Sequence, residues 1–261
     1  MGTGVGRAAG AGRAGTVSRL LIEYDGTEFS GWARQPGLRT VQGELERALN
    51  VVLRRDGVSL TVAGRTDAGV HALGQVASYI GEPARPDSLN ALLPYDVAVL
   101  ACVAAPPGFD ARRDATSRAY IYRVLTRRSR SAFERRRALH WPYPLDIDAL
   151  RGCAALVAGE HDFTAFTPTE TDHVRFERIV FSASWMAPGE DLLEFRIEAG
   201  AFMRSMIRVL VGTMLEVGGG RRSVEAFGEL LEGRPRAQAG ATAAPHGLHF
   251  VGAGYGGERV L

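Results

Sequence analysis

The chain has 261 residues, 46% of them hydrophobic and 23% charged, with a formal net charge of +2. That length supports one large domain or two small ones, each with its own core, and the composition is that of an ordinary globular protein. All 31 basic residues are arginine, which excludes Schiff-base, P-loop and kinase-type lysine chemistry.

Residues 1–16 lack the apolar core of a signal peptide and read as a Gly/Ala/Arg tail outside the fold. A strand is predicted over 17–26, closed by Asp25-Gly26. A helix follows over 40–57, with Thr40 as N-cap and Val41, Leu45, Leu49, Val52 and Leu53 on one face. Two β-type runs, 58–67 and 71–80, flank a glycine-containing corner. A short helix over 86–94 and a strand over 96–105 complete a first half, residues 17–107. The stretch 104–116, with two prolines, a glycine and a burst of charge, reads as a boundary. The second half, 108–261, opens with an alternating strand over 118–127. It continues with a helix over 148–157, strands over 178–186 and 191–199, a long helix over 202–217, a helix capped by Ser223 and ending at Gly233, and a strand over 249–255. The apolar run 199–220 is interrupted by Arg204 and Arg208 and is no membrane span. Strands that follow one another directly favour an α+β fold: two domains with antiparallel sheets, helices on one face, and a cleft between.

Three features bear on chemistry. Cys102 and Cys153 match no metal spacing and read as free thiols of a reducing cytoplasm. From Ala111 to Arg137 there are ten arginines against Asp114 and Glu134, a local charge of +8 suited to gripping phosphate. In GRTDAGVH at 64–71, Asp67 ends an apolar run between Gly64 and Gly69. Asp-Ala-Gly is common turn chemistry. It is also a place where a ligand can approach backbone closely, and Arg65 nearby could hold the Asp67 carboxylate ionised as a nucleophile. His71 reads as structural, and His140, His161, His173, His246 and His249 hold no ligand spacing.

The octapeptide resembles the signature of the tRNA pseudouridine synthase A (TruA) family. So do IEYDGTEFSGWARQ at 22–35, TVQGELERAL at 40–49, GFDARRDATSRAYIYRV at 108–124, GEHDFTAF at 159–166, AFMRSMIRVLVGTMLEVG at 201–218 and PHGLHFVGAGY at 245–255. The resemblance implies the pseudouridine synthase fold and isomerisation of uridine at positions 38, 39 and 40 in the tRNA anticodon stem-loop, without cofactor or metal, by a homodimer. It implies Asp67 as nucleophile and Tyr120 as the ring stacked on the uracil and a candidate proton acceptor. Arg65 would help hold the flipped nucleotide, Arg208 would pair with the nucleophile, Leu248 would line the base pocket and Arg112 would grip substrate. The loop 167–179 has fewer arginines near its start than the family pattern. Two rival readings stand beside this one. The first is a hydrolase pairing Asp67 with Glu23 or Asp25, and the second is a tRNA-binding module without catalysis.

Overall fold

A computed structural model describes residues 15–171 and 174–261. The tail expected over 1–16 therefore falls almost wholly outside the described residues, as does His173. Thr16, at the end of that tail, belongs to the fold: its carbonyl accepts from the Gly81 amide at 2.7 Å and its hydroxyl donates to Glu82 at 2.8 Å.

The first half holds β1 (Val17–Tyr24), α1 (Val41–Leu53), β2 (Thr61–Val62), β3 (His71–Ile80), α2 (Pro86–Asn90) and β4 (Val97–Ala105). The second holds β5 (Ala115–Leu125), β6 (Leu139–His140), α3 (Ile147–Val157), β7 (Gly159–Asp162), β8 (Glu177–Gly189), β9 (Leu192–Ala199), α4 (Met206–Gly218), α5 (Val224–Gly228) and β10 (Leu248–Tyr255). The Thr40 hydroxyl caps α1 by accepting from the Gly43 amide at 3.3 Å. Val41, Leu45 and Leu49 of α1 are buried in one core with Leu20 and Ile22 of β1. Leu150 and Cys153 of α3 join Val209, Leu210 and Met214 of α4 in the same core. The Trp185 indole donates to the Met214 sulfur at 3.3 Å, tying α4 to β8.

The fold is α+β, but the strands of both halves form one ten-stranded sheet, not two. Its order is β4-β1-β3-β10-β5-β9-β8-β7, with β2 on β3 and β6 on β5. The join is the parallel pair β3 and β10, in which His249 faces His71 and Phe250 faces Ala72. The physical reason is edge pairing. Each separate sheet would leave a row of unpaired amides and carbonyls at that edge, and the closing strand β10 satisfies both.

Several predicted elements are shorter than expected, among them α1, Val41–Leu53 against 40–57, and α2, Pro86–Asn90 against 86–94. Of the run 58–67, only Thr61–Val62 is strand. Beyond it the backbone leaves the ladder, because the Thr66 carbonyl accepts from the Trp32 amide at 3.0 Å and the Gly64 carbonyl from the Gln75 side chain at 2.8 Å. The long helix begins at Met206, not Phe202, because Ser205 has φ +58, which right-handed helix cannot continue through. The last predicted helix is Val224–Gly228 followed by a tight turn, Glu229–Leu231.

Candidate active site

The loop 63–70 between β2 and β3 is held from three sides. Tyr24 of β1 hydrogen bonds the Thr66 hydroxyl at 2.7 Å, and Gln75 of β3 donates to the Tyr24 hydroxyl at 3.3 Å. The Val70 amide donates to the Asp67 carbonyl at 3.2 Å, closing the turn. Gly69 has φ +78, and a side chain there would begin 2.9 Å from the Pro245 ring. This loop carries Asp67 into an open cleft of about 1160 Å³. Asp67, Arg65, Arg112, Tyr120 and Leu248 all line that cleft.

Arg208 reaches Asp67 from α4, with Nη1 at 3.4 Å from Oδ2. Its Nε is spent on the Ala243 carbonyl at 2.8 Å, so the guanidinium is anchored before it meets the carboxylate. Among the described residues Arg208, and not Arg65, makes the ion pair with Asp67. Arg65, expected from the sequence beside the carboxylate, is exposed on the cleft wall. Sequence proximity misleads here because an irregular loop sets no common direction for residues 65 and 67, whereas a side chain from a packed helix can be aimed.

Tyr120 is buried on β5, with Phe202 and Phe250 edge-on at ring distances of 5.2 and 5.0 Å. Phe250 pairs with Tyr120 across β10 and β5, and with Ala72 across β10 and β3. The seam between the halves thus sets Tyr120 beside the loop of Asp67. Burial first, then the neighbouring Tyr24 and Asp67, push the Tyr120 phenol well above its ordinary range. It is held protonated at neutral pH. Leu248, the first residue of β10, is buried at the cleft, and Arg112 is exposed at its rim.

Sequence reasoning missed three contributors. Arg118 donates to the carbonyls of Ala63 (3.0 Å), Ala115 (2.8 Å), Gly200 (2.9 Å) and Arg112 (2.6 Å), clamping together the segments that wall the cleft. Strand alternation gave a signal for it, since 118 and 120 share a face. The Tyr24–Thr66–Gln75 network and Ser205, whose hydroxyl donates to Asp67 Oδ2 at 3.3 Å, had no signal in sequence spacing.

Behind the sheet seam the rings of His71 and His249 stack, 4.7 Å apart. His71 Nδ1 accepts from the Gly26 amide at 3.1 Å, and its Nε2 donates to the His246 carbonyl at 3.1 Å. His249 Nε2 donates to the Arg137 carbonyl at 2.9 Å. Burial pushes His249 down to about 3, and pushes His71 down as well. The folded values lie below the ordinary 6.5, so the unfolded chain takes up protons first. The stability that His249 contributes is whole above about pH 6.5 and is lost as pH falls toward 3, and the contribution of His71 has the same sign. For His249 the slope over that range is up to about 1.4 kcal/mol per pH unit. Urea titrations between pH 6.5 and 4 are expected to show a flatter fall in stability for His249→Gln than for the parent chain. Parallel slopes would refute the assignment.

Glu23 and Asp25 line a different cavity, beside His71 and His249. Asp67 lines the first cavity and not this one, which disfavours the two-carboxylate hydrolase. Among the described residues no group of three or more His, Cys, Asp or Glu could hold a metal ion, and no helix is long and apolar enough to cross a membrane. Cys102 and Cys153 are unpaired.

Residues 20–107 and 153–256 match the model of a family described as tRNA pseudouridine synthase. The chain belongs to that family. It is 42% identical over 237 residues to the tRNA pseudouridine synthase A of a Geobacillus species, covering 89% of this chain and 95% of the relative. It is 44% identical over 249 residues to the protein of that name from Thermus thermophilus, covering 92% and 97%. A third, from Frankia casuarinae, is 44% identical over 246 residues, covering 91% and 88%. The matched intervals include Arg65, Asp67, Arg208 and Leu248. Arg112 and Tyr120 lie in the interval between them, so their place in the site rests on the cleft geometry.

Proposed function

We propose that this chain isomerises uridine to pseudouridine at positions 38, 39 and 40 of the tRNA anticodon stem-loop, with Asp67 as nucleophile. The observation that carries the reading is Asp67 itself. It is a half-exposed carboxylate at a basic cleft, gripped on one oxygen by an anchored arginine and faced by a buried tyrosine, in a chain of this family. The reaction breaks the bond between C1′ and N1, turns the uracil, and joins C1′ to C5. N1 gains a proton and C5 loses one, so mass is conserved and no redox partner is required. A stem base must first leave its stack, and an aromatic wall then replaces the lost stacking, worth about 1 to 3 kcal/mol. Tyr120 suits that wall. Its raised phenol value favours the stacking role over accepting the C5 proton at neutral pH. Arg65 and Arg112, exposed on the cleft, suit the flipped nucleotide and its phosphates, and Leu248 suits the base edge.

In this reading the nucleophile comes from a unit of residues 17–107, and the other walls from 108–261. A homodimer working in the cytoplasm completes it. The edge strand β4 bears no charged side chain and exposes Leu100 and Val103, which supports a second copy as its cover. Sedimentation at twice the monomer mass would bear this out. The reading as a whole is tested by incubating the purified protein with unmodified anticodon stem-loops and mapping pseudouridine chemically. Free uracil as product, or pseudouridine only outside positions 38–40, would overturn it.

Arg135, Arg136 and Arg137 are exposed on the loop before β6. The ion pair of Arg136 with Glu28, at 3.0 Å, is itself exposed and contributes little. These side chains are proposed to grip phosphate without reading bases. Neutralising all three is expected to weaken binding of every substrate tRNA by a similar factor. It should also make log K against log salt shallower by about 0.7 to 0.9 for each phosphate no longer neutralised. An unchanged slope would assign them to solvation alone. Loss at one target position only would indicate base readout.

A further inference from the structure

Ser205 stands out on backbone and side chain together. Among the described residues two that are not glycine have positive φ, Arg54 and Ser205. Arg54 ends α1, where a left-handed residue is ordinary. Ser205 instead precedes α4, where the usual cap is extended and its hydroxyl accepts from the first turn. Thr40, Asp146 and Ser223 of this chain do that for their own helices. Ser205 makes no such bond, and its hydroxyl points across the cleft to Asp67 Oδ2 at 3.3 Å. A side chain that gives up its helix cap, on a backbone that disfavours it, is held there by something else.

The second donor to the same oxygen is Arg208, at 3.4 Å. Both donors belong to the start of α4, one turn apart, and both converge on Oδ2. No hydrogen bond reaches Oδ1 from the described residues, so the grip is one-sided. We infer that Ser205 is a positioning residue for the nucleophile: its hydroxyl fixes the rotation of the Asp67 carboxylate so that Oδ1 is the oxygen presented to substrate. The left-handed backbone is what aims the hydroxyl away from its own helix. This inference rests on Asp67 being the nucleophile and adds which oxygen attacks and what aims it.

The test compares Ser205→Ala, Ser205→Gly and Ser205→Asn with the parent chain, by single-turnover rate at saturating tRNA and by equilibrium binding. Ser205→Ala is expected to slow the chemical step between about tenfold and a hundredfold, the loss of one hydrogen bond to a charged group, with tRNA affinity unchanged. Ser205→Gly relieves the backbone but supplies no donor, so it should be as slow as Ser205→Ala. Ser205→Asn tolerates the left-handed conformation and supplies a donor, and it should recover most of the rate. Parent-level rate in Ser205→Ala overturns the inference, and so does full rescue by Ser205→Gly, which would assign the residue to backbone geometry alone. A loss carried entirely in affinity would also overturn it. Asp67→Asn is measured alongside. If that variant stays active, the nucleophile reading itself fails. If it is inactive while Ser205→Ala is normal, only the positioning role fails.

Discussion

Asp67→Asn is expected to abolish pseudouridine formation, by at least about 10⁴-fold, while tRNA binding persists. The carboxamide has nearly the same shape as the carboxylate but is no nucleophile. It can still accept from the Ser205 hydroxyl, so the loop 63–70 keeps its course. Arg208 loses its ion pair but not its anchor, since the Ala243 carbonyl still accepts its Nε at 2.8 Å. The pair is partly exposed on the Asp67 side, so its removal should shift stability by no more than about 1 kcal/mol. The discriminating result is the combination of lost activity, a nearly unchanged melting midpoint and retained affinity for unmodified tRNA. Pseudouridine at a normal rate from the Asn variant would sink the nucleophile assignment.

Gly26→Ala is expected to destabilise the fold by more than about 3 kcal/mol, at the far end of the overpacking range. Gly26 is buried after β1, and its φ is unremarkable, so conformational freedom is not the issue. A methyl group there would lie 2.0 Å from the Val70 carbonyl oxygen and 2.6 Å from its carbon. Both are backbone atoms, which cannot rotate aside. The Gly26 amide also donates to His71 Nδ1, so the segment cannot withdraw without leaving that nitrogen unpaired. Val70 closes the turn on Asp67, and the displaced backbone should carry the nucleophile with it. The surviving folded fraction should therefore be slow as well as scarce. Gly37→Ala is the control: its φ is +73, but nothing lies within 4 Å of the added carbon. It should cost only about 1 kcal/mol from backbone conformation. Equal urea midpoints for the two variants would show that the close approach to Val70 is not what Gly26 provides.

Legibility followed the range of the forces involved. The amphipathic face of α1 and its Thr40 cap depend on residues a few positions apart, and they stood in the pattern of Val41, Leu45 and Leu49. The buried face of α4 was readable in Met206, Val209, Leu210 and Met214 for the same reason. The stretch 63–67 was not, because its backbone bonds go to Trp32 and Gln75, which no local pattern can announce. The start of α4 was misplaced by the left-handed turn at Ser205, a residue type that carries no such preference.

By itself the sequence determined the fold class, the family, the absence of lysine chemistry and Asp67 as the residue to examine. These follow from local periodicity, residue inventory and ordered motifs. Only the tertiary structure decided that the two halves share one sheet through His71 and His249, because either edge strand could in principle have stayed open. The same holds for the cation at Asp67. Arg65 is two residues away along the chain and Arg208 is 141, yet the packing of α4 against the seam brings Arg208 to 3.4 Å. A carboxylate responds to distance in space, and chain separation is a poor guide to that across a sheet.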